Sequence, residues 1–313
     1  MSFIWFILLA VAILLLFSGF LTFYIACVRR KEINWLVEDE IKKTPYGRHF
    51  ANIQTGYQFL EEHNAQDLWI KANDGVRLYA AFVPAEKPRG TIILAHGYRS
   101  SKLVDFGIVF QFYHEMGLNI LVPDQRAHGM SRGRFITFGV KESKDMLCWI
   151  DYHNRLFGMQ PLFLSGLSMG ASTMLYLADK DLPDNVRGII ADCGFTSPKE
   201  IISSVYQRVI HLPAAPTMWV ADLFARLIAG FSLREEDTRI ALKSSKIPVI
   251  MVHGTDDGFV PCDMTKQGYA ACTGEKQLFL VEGADHGVSF LVQPEQYRRL
   301  VTDFINKQLE VHL

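Results

Sequence analysis

The sequence predicts an α/β protein with a doubly wound, mostly parallel sheet of about eight strands, and three observations lead to this prediction. From residue 67 onward, short apolar runs alternate with longer amphipathic stretches. Continuous apolar runs are typical of strands covered on both faces, and alternation with helices indicates parallel pairing. Beyond a first apolar segment, about 280 residues remain, which is enough for one large α/β domain.

The elements follow in order along the chain. The sheet is expected to begin with an antiparallel hairpin, because NDG at residues 73–75 separates two strand patterns, 68–72 and 76–83. Six apolar runs predict the remaining strands, at residues 91–95, 119–122, 161–164, 188–191, 248–252 and 277–281. Amphipathic stretches predict helices between them, at residues 104–116, 141–156, 169–178, 263–271 and 295–309.

One long stretch, residues 197–246, interrupts the alternation. Helical patterns occur within it at residues 199–210 and 217–229. Ligands bind at the carboxyl ends of the strands in sheets of this kind. We therefore expect residues 67–313 to form one domain, with residues 197–246 inserted as a helical cap over that edge.

The amino-terminal segment, residues 3–28, is apolar throughout. As a helix it would be about 39 Å long, so it can span a hydrocarbon core of about 30 Å with some tilt. A cleaved signal peptide would need positive charge before a shorter apolar core, and only two residues precede this one. A lipoprotein site at Cys27 would need the same basic leader. The sequence predicts an uncleaved, single-pass transmembrane anchor.

The residues after this segment predict its orientation and a connector. RRK at residues 29–31 favours the cytoplasmic side, which places the soluble domain in the cytoplasm. Residues 29–66 are read as a juxtamembrane connector. Apolar residues at 33, 36, 37 and 41 have helical spacing, and TPYG at residues 44–47 predicts the end of that helix. Packing onto the domain and packing onto lipid headgroups are both left open.

The composition excludes several classes of function. Charge is balanced, with 32 basic and 33 acidic residues, so no nucleic-acid partner is expected. The five cysteines form no Cys-x-x-Cys pair and are expected to be free thiols in a reducing compartment. The histidines lack metal-ligand spacing, so neither a metal nor a cofactor is predicted. The oligomeric state is left open.

A candidate nucleophile lies in GLSMG at residues 166–170, which fits the pattern Gly-x-Ser-x-Gly. An apolar strand pattern precedes it and a run of small residues that can start a helix follows it. A strand, a sharp turn and a helix expose the serine as a nucleophile, and the glycines allow its strained backbone. This pattern points to Ser168.

Further polar residues follow other predicted strands. HGTDDGFVP at residues 253–261 contains Asp256 and Asp257, and GADHG at residues 283–287 contains His286. The order Ser, Asp, His is the order found in α/β-hydrolases. HGY at residues 96–98 follows an early strand, where an oxyanion-hole amide is needed.

Together with PDQRAHGMS at residues 123–131, these motifs resemble the α/β-hydrolase superfamily. The chain is most similar to bacterial serine hydrolases grouped with serine aminopeptidase-like, prolyl-oligopeptidase-like and cinnamoyl-esterase-like domains. The resemblance covers roughly residues 69–304, nearly the whole predicted domain. It implies Ser168 as nucleophile, His286 as general base and Asp257 as the acid that orients the histidine, with Asp256 in reserve.

The resemblance also implies an oxyanion hole formed by the amides of Tyr98 and Met169. Four other residues of these motifs are expected to be structural: His128 and Asp124 brace a strand-end loop, His96 shapes the oxyanion loop, and His253 precedes a required glycine. Asp192, at a strand end near the cap, is a candidate buttress for the site.

The expected function is a membrane-anchored serine hydrolase for carboxylic esters, with a small-molecule or lipid-like acyl ester as substrate. A cap rich in large apolar residues favours an acyl or aromatic group. The first alternative is a serine peptidase of aminopeptidase type. It would anchor a free amine on acidic residues of the cap, for which Glu200, Asp222, Glu235, Glu236 and Asp237 are candidates. The second is a non-catalytic binding protein on a hydrolase fold.

Overall fold

The computed structural model describes residues 2–31, 33–43, 47 and 50–310. Most of the predicted helix end at residues 44–47 lies outside the described residues. The sheet has eight strands, as the sequence predicts, in the order β1-β2-β4-β3-β5-β6-β7-β8. The strands are β1 Gln66–Lys71, β2 Arg77–Val83, β3 Gly90–Ala95, β4 Leu118–Asp124, β5 Leu162–Leu167, β6 Val186–Asp192, β7 Val249–Gly254 and β8 Lys276–Val281.

Pairing within the sheet matches the predicted mostly parallel arrangement. β2 is antiparallel to both β1 and β4, and the other neighbouring strands are parallel. The described helices are α1 Ser2–Cys27, α2 Glu38–Ile41, α3 Phe50–Glu62, α4 Lys102–Phe106, α5 Phe110–Glu115, α6 Val140–Phe157, α7 Met169–Leu175, α8 Pro198–Ile210, α9 Ala215–Phe224, α10 Thr238–Leu242, α11 Cys262–Ala271, α12 Ser289–Val292 and α13 Pro294–Glu310. A π-helical segment, Ala225–Ala229, continues α9.

Helices cover both faces of the sheet, which explains the continuous apolar runs of the strands. In β3, Ile92 and Leu94 belong to one apolar cluster, while Ile93 and Ala95 belong to a second cluster on the opposite face. Every residue of β3 is buried. Because successive side chains of a strand point to opposite faces, a strand covered on both sides needs apolar residues at every position.

The helices α8, α9 and α10 lie between β6 and β7 in the chain, in the stretch predicted as the cap. A third apolar cluster joins this region to the end of α1. Phe23 and Cys27 of α1 share that cluster with Met218 and Ala221 of α9. The predicted anchor is therefore packed against the cap. The division into an anchor at 3–28, a connector at 29–66 and a domain at 67–313 stays a prediction.

The two halves of α1 have different surroundings. Its first half exposes large apolar side chains, and within the described residues Phe3–Cys27 is the one helix long and apolar enough to cross a membrane. Its second half crosses α9 closely at Gly19, where an added Cβ would lie 2.4 Å from the Val220 side chain. After the helix, the chain pairs with a loop of the domain, since Ile136 N–H donates to Cys27 O at 2.7 Å.

Two sequence predictions of helices are wrong. Residues 104–116 do not form one helix, because the chain breaks between α4 and α5 where it meets α3. A Cβ on Gly56 of α3 would lie 2.4 Å from the Gly107 Cα, so the two backbones touch. Such close approach requires glycine, and glycine within a helix weakens it.

The juxtamembrane helix predicted from residues 33–41 is reduced to the four residues of α2. Val37 is extended, with φ −102° and ψ 106°. The Asn34 side chain accepts a hydrogen bond from Leu36 N–H at 3.1 Å. Asparagine side chains that bind nearby amides compete with helical hydrogen bonds, so a turn replaces the first part of the expected helix.

Candidate active site

Ser168 lies at the sharp turn between β5 and α7, with φ +56° and ψ −116°. The turn depends on glycine at two positions. A Cβ on Gly166 would lie 2.2 Å from Gly170 O, and a Cβ on Gly170 would lie 1.8 Å from Ala95 O. A non-glycine residue at positive φ is strained, and such strain clusters at functional sites. The backbone of this turn holds the Ser168 hydroxyl at the edge where the parallel strands end.

His286 and Asp257 reach the same point from the loops that follow β8 and β7. His286 Nε2 lies 3.0 Å from Ser168 Oγ, and His286 Nδ1 lies 2.7 Å from Asp257 Oδ2. The reserve candidate Asp256 is exposed and accepts a hydrogen bond from Thr255 Oγ1 at 3.0 Å. The structure therefore brings together three of the four predicted side chains and leaves Asp256 outside the hydrogen-bonded chain.

Asp257 is held as a carboxylate. Burial opposes its ionisation, but hydrogen bonds from His253 and His286 hold the pKa of its carboxyl well below the usual range. Its second oxygen accepts the amides of Phe259 and Val260, each at 2.8 Å. A fixed negative charge at Nδ1 orients the imidazole and favours the positive charge that forms when His286 takes a proton.

The loop after β3 passes directly beside the serine. A Cβ on Gly97 would lie 3.3 Å from Ser168 Cβ. Gly97 N–H donates to Asp105 Oδ2 at 2.6 Å, and Arg99 N–H donates to His128 Nε2 at 3.0 Å. The amide of Tyr98 lies between these two anchored amides.

The second predicted oxyanion donor begins a helix. Met169 is the first residue of α7, and Ser168 is its N-cap. Amides in the first turn of a helix have no acceptor within that helix. They also lie at the positive end of the helix dipole, which favours negative charge nearby. The Met169 amide is thus suited to bind a developing oxyanion.

The residues predicted to be structural make bracing contacts. His96 Nε2 accepts Gln125 N–H at 3.0 Å, which ties the loop after β3 to the loop after β4. Asp124 accepts hydrogen bonds from Lys102 Nζ at 2.7 Å and from Met130 N–H at 2.9 Å.

Asp192 is a buried acid beneath the serine turn. Its backbone oxygen accepts Ser168 N–H at 2.8 Å, and its side chain accepts Ser289 Oγ at 3.0 Å. Burial raises the pKa of the Asp192 carboxyl to about 6. These contacts agree with a role as a buttress of the site.

Sequence reasoning missed two groups that hold the loop after β3, which is the predicted oxyanion loop. Asp105 accepts Gly97 N–H and, at 2.6 Å, Ser100 Oγ, and burial raises the pKa of its carboxyl to about 6. Arg99 donates to two carbonyls at the end of α1, Ile25 O at 2.6 Å and Val28 O at 3.1 Å. Only the position of Asp105, eight residues after Gly97 and in the first helix after the buried strand β3, pointed to its role. Nothing in the sequence links Arg99 to α1.

The side chain of Tyr98 makes a third link to α1. Its hydroxyl donates to Ala26 O at 2.8 Å, and its ring stacks on Phe138 with centroids 5.0 Å apart. The last carbonyl groups of a helix receive no hydrogen bond from an amide of that helix, so they can accept hydrogen bonds from side chains such as Tyr98 and Arg99. The predicted oxyanion loop is thus hydrogen-bonded to the end of α1 through Tyr98 and Arg99.

A cavity of about 760 Å³ opens at Ser168 and His286. Much of its wall is apolar, with contributions from Val104, Phe106, Ile108, Val109, Phe290 and Leu291. Basic side chains also line it, namely Arg30, Lys31, Lys43 and Arg99. A cavity of this size and character accommodates a small molecule with an apolar group.

Three potential metal ligands also meet here. Cys193, Asp257 and His286 present ligand atoms within 4.8 Å of one another. Metal binding requires a thiolate. Burial and the nearby Asp192 and Asp257 carboxylates raise the pKa of the Cys193 thiol well above its ordinary value. Since His286 and Asp257 also bond to each other, this cluster suits proton transfer better than metal binding.

Comparisons with known proteins agree with this architecture. A family model described as the alpha/beta hydrolase fold matches residues 90–232. The chain is similar to YqkD of Bacillus subtilis, with 27% identity over 86% of this chain and 87% of that protein. It is also similar to a Saccharomyces cerevisiae protein named as a membrane protein, YNL320W, with 21% identity over 77% of this chain and 79% of that one.

Among solved structures, the Pyrococcus furiosus esterase Pf2001 matches with a TM-score of 0.65 and 21% identity, covering 80% of this chain and 95% of that one. Fold and site together define an α/β protein with a nucleophile-type turn at the edge of its sheet. The chain has the α/β-hydrolase fold.

Proposed function

We propose that this protein is a membrane-anchored serine hydrolase that cleaves carboxylic esters through Ser168, His286 and Asp257. One observation carries the proposal. The Ser168 hydroxyl, both nitrogens of His286 and the Asp257 carboxylate form a continuous hydrogen-bonded chain, with distances of 3.0 and 2.7 Å. Nucleophile, base and orienting acid in this relation define an activated serine.

The proposed reaction has two halves. Ser168 Oγ attacks the ester carbonyl while His286 Nε2 takes its proton, and the amides of Tyr98 and Met169 stabilise the resulting oxyanion. His286 then gives the proton to the leaving alcohol, so the ester C–O bond breaks and an acyl-enzyme remains. Water, deprotonated by His286, attacks this acyl group. The carboxylic acid leaves and the Ser168 hydroxyl regains its proton.

An ester is favoured over a peptide with a free amine because the acidic residues considered for amine binding have other partners. Glu200 and Asp237 pair with Arg239, at 2.7 and 2.6 Å. The others pair as well, Asp222 with Arg226, Glu235 with Lys144 and Glu236 with Lys180. None of the five lines the described cavity, whose charged lining combines Arg30, Lys31, Lys43 and Arg99 with the aspartates Asp105, Asp192 and Asp285. These three carboxyl groups already accept hydrogen bonds from the protein, Asp105 from Gly97 and Ser100, Asp192 from Ser289, and Asp285 from Gly258 and His286.

Membrane anchoring is supported by α1. The helix is long and apolar enough to span a bilayer, and most of its first half is exposed. The basic residues 29–31 follow directly, and they favour a cytoplasmic catalytic domain. A reporter fused after residue 31 tests this orientation: activity of a cytoplasmic reporter supports it, and activity of an exported reporter contradicts it.

The decisive experiment labels the full-length protein in detergent with a fluorophosphonate and measures hydrolysis of short p-nitrophenyl esters. We expect labelling and turnover in the wild type and loss of both in Ser168→Ala, with kcat reduced by about 10⁴-fold or more. Ser203→Ala on the cap helix α8 serves as the control and should behave as wild type. Unchanged hydrolysis by Ser168→Ala would end the proposal.

The same experiment addresses the two alternatives. Absence of label on a folded wild type would favour a non-catalytic binding protein. A panel of fluorogenic dipeptide amides tests the peptidase alternative, and faster turnover of amides than of esters would favour it.

A further inference from the structure

The surface of the cap carries a strip of exposed apolar side chains. We call it the cap strip, and it consists of Val209, Ile210, Leu212, Trp219, Leu223, Leu227 and Ile228. Over residues 209–231 the chain has only three titratable side chains, His211, Asp222 and Arg226. Two of these neutralise each other, because Arg226 Nη2 lies 2.9 Å from Asp222 Oδ2. An apolar surface of this kind marks an interaction site.

The position of α9 against α1 indicates what covers the strip. Ser18 Oγ lies 3.5 Å from Thr217 Oγ1, and the rings of Phe20 and Phe224 are 5.2 Å apart. Together with the close crossing at Gly19, these contacts place α9 beside residues 18–20 of α1.

The depth of residues 18–20 follows from helix geometry. The candidate span, Phe3–Cys27, has 25 residues, whereas about 20 residues cross a hydrocarbon core of about 30 Å. A window of 20 residues within this span runs from 3–22 at one extreme to 8–27 at the other. Both windows contain residues 18–20, so the part of α1 that touches α9 lies within the hydrocarbon region whichever end sets the register.

We propose that the cap strip is a membrane-docking surface that enters the same leaflet as the second half of α1. The inference rests on the anchoring part of the proposed function, since the depth of α9 is measured from a spanning α1. Trp219 and Leu223 of α9, with Leu227 four residues further on, are the side chains that meet lipid. The occupant is the lipid of that leaflet, whose acyl chains contact aliphatic side chains and whose headgroup boundary favours tryptophan.

Docking of the cap also positions the cavity. Arg30, Lys31 and Trp35, which follow α1, line the cavity that leads to Ser168. With the end of α1 at the membrane surface, this part of the cavity faces the headgroup region. An ester embedded in the leaflet would then reach Ser168 without crossing bulk water.

Site-directed spin labelling of the full-length protein in phosphatidylcholine vesicles tests the proposal. Three variants are compared, each with one introduced cysteine: Leu227→Cys in the strip, Ile240→Cys on α10 and Leu9→Cys in α1. Leu227 and Ile240 form a matched pair, with 72% and 64% exposure. The partly exposed Cys148 and Cys262 are replaced by Ser, and the three buried cysteines stay. The readout is relaxation of the nitroxide by oxygen, which partitions into lipid, against a water-soluble nickel chelate.

We expect the ratio of oxygen to nickel accessibility to be several-fold higher at 227 than at 240, and similar at 227 and 9. A label at 227 that behaves as the one at 240, while the label at 9 reports lipid, would overturn the cap proposal and leave the anchor intact. Water-like values at both 9 and 227 would overturn the anchor as well. Dipolar broadening between labels at 227 would show that a second copy covers the strip, which also overturns the proposal.

Discussion

The polar edge around Ser168 and the apolar contact between α1 and α9 are built on different physical principles. At the edge, hydrogen bonds of 2.6 to 3.0 Å between defined partners fix the geometry, as in the contacts of His286 and Gly97. At the contact between α1 and α9, packing depends on side-chain volume, because only a residue as small as Gly19 lets α1 approach the Val220 side chain. The first arrangement is sensitive to chemistry at single atoms, and the second is sensitive to volume.

This difference predicts a separation of effects. Changes of one atom in the hydrogen-bonded chain of Ser168, His286 and Asp257 should alter the rate and leave the fold almost unchanged, because the surrounding turns are held by backbone contacts. Changes of volume at the helix contact should alter stability and leave the rate of each folded molecule unchanged, because no side chain there touches the reacting atoms.

The largest effect is expected for Asp257→Asn. The substitution keeps the shape but removes the charge that orients His286, and the equivalent change in a serine protease triad lowers kcat by about 10⁴-fold. Ester hydrolysis and thermal unfolding are measured on the same sample. The adjacent, exposed Asp256 supplies the control, and Asp256→Asn should keep its rate. Equal losses in the two variants would mean that the charge of the loop, rather than the bond to His286, supports catalysis.

Asp192→Asn tests whether the buried, ionised carboxyl of Asp192 lowers the free energy of unfolding. The folded state raises the pKa of Asp192 to about 6 from the ordinary 3.8, so this carboxyl stabilises the fold fully below pH 3.8, and that contribution is lost as the pH rises through 6. The difference in pKa corresponds to about 2–3 kcal/mol. We expect the Tm of Asp192→Asn minus that of the wild type to increase by several degrees between pH 4 and pH 8.

Thermal unfolding in one detergent across this pH range measures the difference. The exposed Asp256 again provides the control, and Asp256→Asn should show a constant offset. A Tm difference for Asp192→Asn that does not change with pH would show that Asp192 ionises in the folded protein as it does in water.

Gly19→Leu probes the other region. The new side chain would collide with Val220, and overpacking costs about 1–3 kcal/mol, so Tm should fall by about 2–5 °C. kcat for a soluble ester, corrected for the folded fraction, should stay within about twofold. Ala10→Leu makes the same kind of change in the exposed half of α1 and should leave Tm unaltered. A reduced kcat in Gly19→Leu together with an unchanged Tm would show that the contact between α1 and α9 affects the rate, which contradicts the predicted separation of effects.

The sequence predicts the polar edge well because its signals are local. Each strand is an apolar run, and each candidate side chain follows a strand within a few residues, so parallel topology alone brings Ser168, Asp257 and His286 to one edge. The choice between Asp256 and Asp257 depends on loop conformation, which adjacent positions in the chain do not reveal. The structure distinguishes them by one contact, the 2.7 Å bond to His286.

The sequence does not predict the α1–α9 contact, because that contact joins residues about 200 positions apart through shape. Gly19 appears in the sequence only as a mild interruption of an apolar segment. The broken helix at Gly107 has the same origin, since its cause is the backbone of Gly56 in another helix. The residue pattern of one helix or strand predicts which of its faces is buried. It does not predict which other element packs against that face.

Tyr98 belongs to both regions, and Tyr98→Phe is therefore the sharpest test of how they are joined. The amide stays beside Ser168, whereas the hydroxyl that donates to Ala26 O at 2.8 Å is lost. One such bond is worth about 0.5–1.5 kcal/mol, so we expect kcat to fall by about 2- to 10-fold, with KM nearly unchanged. Steady-state kinetics on a soluble ester measure both, and Tyr57→Phe on α3, where the ring is exposed, is the control. Unchanged kcat in Tyr98→Phe would mean that Arg99 alone connects the end of α1 to the predicted oxyanion loop. The Tyr98 hydroxyl would then play no part in coupling α1 to the rate of the reaction.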